Sequence, residues 1–273
     1  MASTTFTDFQ TPAIPAAWLN DTNRLVYQLA GDGVNAPTND SDVRDNLGIT
    51  ASIAAVPTTG RLIGVQTITS TSVYTPTAGT TSIVVELVGG GGGGGGSLVA
   101  GAGTISLGVS GSGAGYCRSR FTSGFSGQTV TIGAGGTAGA ASGAGGTGGN
   151  STFLGMVANG GLFGAVGNAA TANNLRGNNP GGSASGGNII NISGSTVVPS
   201  WGSNAAGIAI GAAGGNSQLG NGGNATPTTS GVSSAGAAGN GFGAGGSGGV
   251  SYAAAAAAGG AGLPGAAIIY EYS

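Results

Sequence analysis

Hydrophobic and polar positions divide the chain into three regions. In residues 1–60 the apolar positions recur at helical spacing. Within PAAWLNDTNRLVYQLAG, Trp18, Leu25, Val26 and Leu29 fall on one face, Pro15 suits a first turn and Gly31 a left-handed C-cap. APTNDSDVRDNLG reads as a second short helix, with Thr38 as N-cap, Asp40 and Asp42 at the positive end of its dipole and Gly48 closing it. From residue 61 the pattern becomes that of strands. RLIGVQTI, SVYTPT and TSIVVELV are β-rich runs, and PTAGT is a turn. The C-terminal AAIIYEYS repeats the character of SIVVELV, with β-branched residues and one glutamate near the end. It predicts a last strand that returns to pair with this region. Strands at about 61–88 and 266–273 then enclose an insert, residues 89–265.

The insert opens on eight consecutive glycines, Gly89–Gly96, and its periodicity is neither two nor 3.6. Gly133, Gly136, Gly139, Ser142, Gly145 and Gly148 stand three apart. So do Gly161, Gly164 and Gly167; Gly211, Gly214, Ser217, Gly220 and Gly223; and Gly259, Gly262 and Gly265. Three residues per turn is the period of the polyproline II helix, which has no internal hydrogen bonds. Each N–H and C=O must therefore be partnered from outside its own segment. Collagen meets that demand with a strict G-X-Y repeat, which fails here. The other solution is lateral packing of extended segments, with glycine wherever one backbone faces another and Cα–H···O contacts added to N–H···O bonds. A slack Gly-rich linker is the competing reading, but apolar strands flank the run.

Composition narrows the chemistry. Charged residues are 5% of the chain and the net charge is −2. There is no Lys and no His, and between Leu87 and Tyr270 the only charges are Arg118, Arg120 and Arg176. Six dispersed arginines make no nucleic-acid surface. The glycine run satisfies G-x-G-x-x-G trivially, but no helix or acid follows at dinucleotide spacing, and a phosphate loop lacks its lysine. A glycosidase pair of carboxylates, a His-based triad and a metal cluster all lack residues in the insert. The expectation is thus no catalytic site, no metal and no cofactor. Cys117 is the single cysteine, so no intramolecular disulfide forms. No apolar run of spanning length predicts membrane insertion, and the first residues have no signal-peptide pattern.

PAAWLNDTNRLVYQL with GDGVNAPTNDSDVRDNLGI resembles the virion-joining part of tailed-phage tail fibres and tailspikes. YTPTAGTTSIVVELVGGGGGGG, VTIGAGGTAGAASGAGGTGGNSTFLG and the terminal AAIIYEY resemble their glycine-rich domain. The resemblance implies a homotrimeric fibre, mainly β, with short N-terminal helices and polyglycine II-like tracts. This chain departs from that pattern in that its tracts are rich in Ala and interrupted by Ser, which predicts mixed β and polyglycine packing rather than a clean glycine lattice throughout. The resemblance also implies a protein of the virion tail, made in the host cytoplasm, with residues 1–60 joining other tail proteins and residues 61–273 forming the distal domain. Trp18, Leu19, Leu25, Val26 and Leu29 become candidates for the attachment or trimer interface.

A bacterial surface glycan or outer-membrane protein would be bound by segments that break the glycine pattern. GYCRSRFTSGF sets Arg118 and Arg120 among Tyr116, Phe121 and Phe125, suiting sugar rings or anionic groups; the same segment also reads as an edge strand over the glycine layer. NAATANNLRGNNP offers Asn173, Asn174, Arg176 and Asn178 to hydroxyls. Trp201, in NIINISGSTVVPSWGSN, is an aromatic platform or a residue buried between chains. GNATPTTSG reads as a loop tip. The competing functions are a purely structural spacer, an ice-binding bundle and an enzyme.

Overall fold

Alternation in SIVVELV and AAIIYEY buries one side of each strand, and these two strands form the centre of a sheet. In the computed structural model, which describes residues 59–273, Gly60–Ser273 make one unit. Five antiparallel strands lie in the order Leu62–Ile68, Ala266–Tyr272, Ser82–Val88, Tyr116–Phe121, Ile190–Ile192. The last strand does return, with Ala266 opposite Val88 and Tyr272 opposite Ser82. Ile83, Val85, Leu87, Ala267 and Ile269 pack from one face against Tyr74, Phe125, Phe153 and Met156. Phe153 meets Tyr74 and Phe121 edge to face, with ring centroids 6.0 and 6.1 Å apart. Burying each such side chain contributes about 1.5–3 kcal/mol.

SVYTPT departs from the strand expected of it. Only Ser72–Val73 pairs, with Thr129–Val130. Tyr74 and Thr77 leave the sheet pattern because their hydroxyls converge on Glu271.

Past Val88 the eight glycines run as an extended tract at the centre of a bundle. Each amide from Gly89 to Ser97 donates to a different tract in rotation, and each carbonyl from Gly90 to Ser97 accepts in the same way, at N···O distances of 2.7–3.1 Å. Gly90, Gly93 and Gly96 donate to Gly149, Gly146 and Gly143; Gly91 and Gly94 to Leu263 and Gly260; Gly92 and Gly95 to Ser112 and Val109. The descending partner numbers make these three tracts antiparallel to the run. Gly136 and Gly139 donate to Gly91 and Gly94, Gly161 and Gly164 to Gly90 and Gly93, Gly246 and Gly249 to Gly92 and Gly95. Those three are parallel to it.

The six surrounding tracts also bond to one another in a closed ring. Gly146 donates to Thr137, Gly148 to Gly161, Ser112 to Leu162, Gly111 to Gly246, Leu263 to Ala244 and Gly262 to Gly136. Outer segments add to this, with Gly215 bonded to Gly111, Gly182 to Gly113 and Gly236 to Ala258. Serines enter the packing with their hydroxyls bonded: Ser112 Oγ accepts from Leu162 N at 2.7 Å and Ser247 Oγ from Ala237 N at 2.7 Å.

At the other end of the run the chain again forms strands. Ile105–Leu107 and Val250–Tyr252 pair within one four-stranded sheet. Asn174–Arg176, Ser200–Ser203, Ile208–Gly211 and Thr226–Thr229 make a second. Between them lie Ile105, Leu107, Ala209, Val250 and Tyr252. Eight residues at about 3.1 Å each separate this end from the five-stranded sheet by roughly 25 Å.

The architecture is mainly β with a glycine-rich core, and no helix occurs among the described residues. The two predicted helices, with Trp18, Leu19, Leu25, Val26 and Leu29, lie outside the described residues.

Candidate binding surface

The far-end sheet is assembled from four strands of three or four residues, each delivered by a different passage of chain. Their register sets Leu175 opposite Trp201, Trp201 opposite Ile210 and Ile210 opposite Pro227. On the opposite face the same registers place Asn174, Gly202, Ala209 and Thr228, all inward. A Cβ on Gly202 would stand 2.9 Å from Ile105 Cγ2, so the backbone lies directly on the core. The outward row is a stripe of apolar side chains across four strands, in which Leu175 is 68% and Trp201 40% exposed. Strands about 4.8 Å apart make the row roughly 14 Å long.

Polar bonds fix the loops around the stripe. Asn204 Nδ2 donates to Gly103 O and Thr171 O, both at 2.6 Å, tying three loops together. Tyr252 Oη donates to Asn204 O at 3.3 Å. Arg176 Nη2 donates to Val166 O at 3.1 Å, so its guanidinium is anchored on the bundle. Asn173 and Asn178 are exposed. Asn174 is buried instead, with Nδ2 donating to Ile105 O and Asn168 O at 3.2 Å each; it holds the core and offers nothing to a ligand.

The second candidate segment lies at the near end, in the five-stranded sheet. Tyr116–Phe121 is an interior strand between Ser82–Val88 and Ile190–Ile192, not an edge strand. Tyr116 and Phe125 are buried, and Phe121 packs on the core, so these three aromatics are structural here. Burial, with the Glu86 charge adding to it, pushes the Tyr116 hydroxyl up to about 12. Arg118 stands opposite Glu86 at 3.6 Å, with the arginine side chain partly exposed and the glutamate mostly covered. Arg120 is exposed and lines a shallow cavity of about 300 Å3 with Ser82, Val84 and Tyr272. The sequence-derived residues therefore divide between two ends: Asn173, Arg176, Asn178 and Trp201 at the far end, Arg118 and Arg120 at the near end.

Leu175, Ile210 and Pro227 were not singled out by sequence reasoning. GNATPTTSG supplies a strand, Thr226–Thr229, rather than only a loop tip. Pro227 is compatible with that because the strand is an edge of its sheet, where a missing N–H costs no ladder bond.

Cys117 is buried and burial pushes its thiol up to about 11, so it stays protonated. Among the described residues no three His, Cys, Asp or Glu side chains converge as a metal site would require.

No curated protein matches the chain. Residues 66–272 match the glycine-rich domain family, a span that begins in the first strand of the five-stranded sheet and closes on its last. That is about three quarters of the 273 residues, and the chain belongs to the glycine-rich domain family.

Proposed function

We propose that the chain is a non-enzymatic adhesin of a tailed-phage fibre, which joins the virion through residues 1–60 and binds a bacterial surface receptor at the far end of its glycine-rich domain. The observation that carries this reading is the delivery of separate loops to one end by a single bonded bundle. Segments 98–104, 168–176, 198–211 and 226–232 all meet there, on tracts whose amides are bonded laterally every third residue. We read these tracts as polyglycine II-like helices. Loops on such a scaffold can vary in sequence while their bases stay fixed, which suits recognition. The chain acts as a homotrimer in this reading, and several weak contacts per particle multiply by avidity.

The test uses the full chain and a form lacking residues 1–60. The full chain should join particles, bind susceptible cells and compete with particle adsorption. The shortened form should fail to join particles yet still bind cells. Light scattering on the full chain should give three copies. If the full chain neither binds cells nor blocks adsorption, the receptor role is wrong, and a structural spacer takes its place.

A further inference from the structure

We infer that the Leu175–Trp201–Ile210–Pro227 stripe is a subsite for an uncharged sugar ring, stacked on the indole of Trp201. The inference rests on the adhesin reading and adds the chemical class of its ligand.

Trp201 has no structural use that explains its exposure. Its face of the sheet points away from the far-end core, which is filled by Ile105, Leu107, Ala209, Val250 and Tyr252. The aromatic pairs join Tyr74, Phe121, Phe125 and Phe153, so among the described residues no ring stacks on Trp201. Its indole N–H has no acceptor among the described residues. An open aromatic face beside an unused donor matches a ligand with an apolar C–H face and hydroxyl edges.

Charge selects among such ligands. Among the described residues the far end has no carboxylate, and the one cation there, Arg176, already donates to Val166 O. Flanking groups on the outward side are neutral donors and acceptors: Asn173, two residues before Leu175, and Thr229, two after Pro227, are both exposed. An acidic polysaccharide would find little counter-charge. A protein loop would meet the outward face of a sheet, with Leu175 and Trp201 exposed on it, where an anchor side chain is less enclosed than in a pocket. A neutral pyranose fits an apolar centre rimmed by amides and a hydroxyl. The bonds of Asn204 to Gly103 and Thr171 hold the loop after Trp201 in place before any ligand arrives, which lowers the ordering cost of binding.

Binding of the labelled full chain to a panel of bacterial strains tests this, with cells used untreated, after periodate oxidation of surface sugars, or after protease shaving. Binding should be lost after periodate, survive protease and change little at high salt. Trp201→Ala should weaken it about tenfold or more, and Trp201→Phe should retain most of it. Both variants should keep the wild-type melting temperature, since the side chain lies outside the core. In a Trp18→Phe background, Trp201 emission should shift when the periodate-sensitive polysaccharide extracted from a bound strain is added. Binding lost to protease and not to periodate, or unaffected by Trp201→Ala, overturns the sugar subsite while leaving the adhesin reading intact. Binding to no strain overturns the adhesin reading itself.

Discussion

Glu271 is wholly buried, a position glutamate occupies only with partners. Its carboxylate accepts from Tyr74 Oη at 2.6 Å, Thr77 Oγ1 at 2.6 Å, Thr77 N at 3.1 Å and Gln66 Nε2 at 2.8 Å. Burial opposes its ionisation, but the bonds from Thr77, Tyr74 and Gln66 outweigh that and hold the carboxyl below the usual glutamate value. Gly64 leaves the room: a Cβ there would overlap Glu271 Oε2. Glu271→Gln puts an NH2 group among four donors and should cost about 1–3 kcal/mol in denaturant unfolding at neutral pH. Because the folded value lies below the unfolded one, near 4.3, the contribution is complete above that pH and is lost as pH falls through the folded value. Wild type and variant should therefore converge in acid; a gap independent of pH would mean that only the shape of the side chain matters. In the sequence, the glutamate near the end of the last strand was visible and its partners were not. Tyr74 and Thr77 lie almost two hundred residues earlier, in a run whose β-branched residues read as strand. Propensity carries no signal of hydroxyls turned toward a distant carboxylate.

Within a single tract, steric fit is set residue by residue. A Cβ on Gly93 would overlap the carbonyl oxygen of Thr137, and on Gly94 that of Ser247. These obstacles are backbone, held by their own bonds, and cannot swing aside as a side chain would. Gly93→Ala should destabilise by about 1–3 kcal/mol or more, as overpacking does. Gly101→Ala is the matched control. Nothing lies within 4 Å of its added Cβ and its φ is not left-handed, so it should be neutral or gain up to about 1 kcal/mol from a stiffer unfolded chain. Equal effects on the melting temperature would contradict the lattice. The period of three was legible because it records this geometry: Gly133, Gly136 and Gly139 are buried while the residues between them are exposed or half-exposed. The turns were not legible, since the period runs through them unbroken. Ser142 has a positive φ of 63 and ends one tract, so Gly145 and Gly148 belong to the returning one. Likewise Ser217 N donates to Gly220 O, folding the Gly211–Gly223 series back on itself.

In the unit Gly60–Ser273 as a whole, the question is what offsets the entropy of ordering so much glycine, the residue that loses most freedom on folding. Side-chain cores lie at the two ends, around Phe153 and around Ile105, with a smaller cluster of Val88, Ala114, Tyr116 and Ala266 beside the five-stranded sheet. Between them the favourable terms are backbone bonds, each of small net value, together with close contact among tracts that leave no room for water. Such a structure is cooperative: Gly91 to Gly96 are ringed on every side, and removing one tract exposes the bonds of its neighbours. A Gly-rich linker of the same sequence would have none of this, and amide hydrogen exchange separates the two. The amides of Gly91–Gly96 should be among the slowest to exchange in the molecule, matching Val85 and Ile269 in the central strands. Loop amides at 101–103 and 171–173, exposed at the far end, should exchange orders of magnitude faster, through local opening. Removing residues 266–273 takes out the strand between Leu62–Ile68 and Ser82–Val88 and with it the anchor of the tract that bonds Gly91 and Gly94. Protection of the glycine run should then collapse together with that of the sheet. If the run exchanges at coil rates in the intact chain, or keeps its protection when the last strand is gone, the bundle is not the scaffold described.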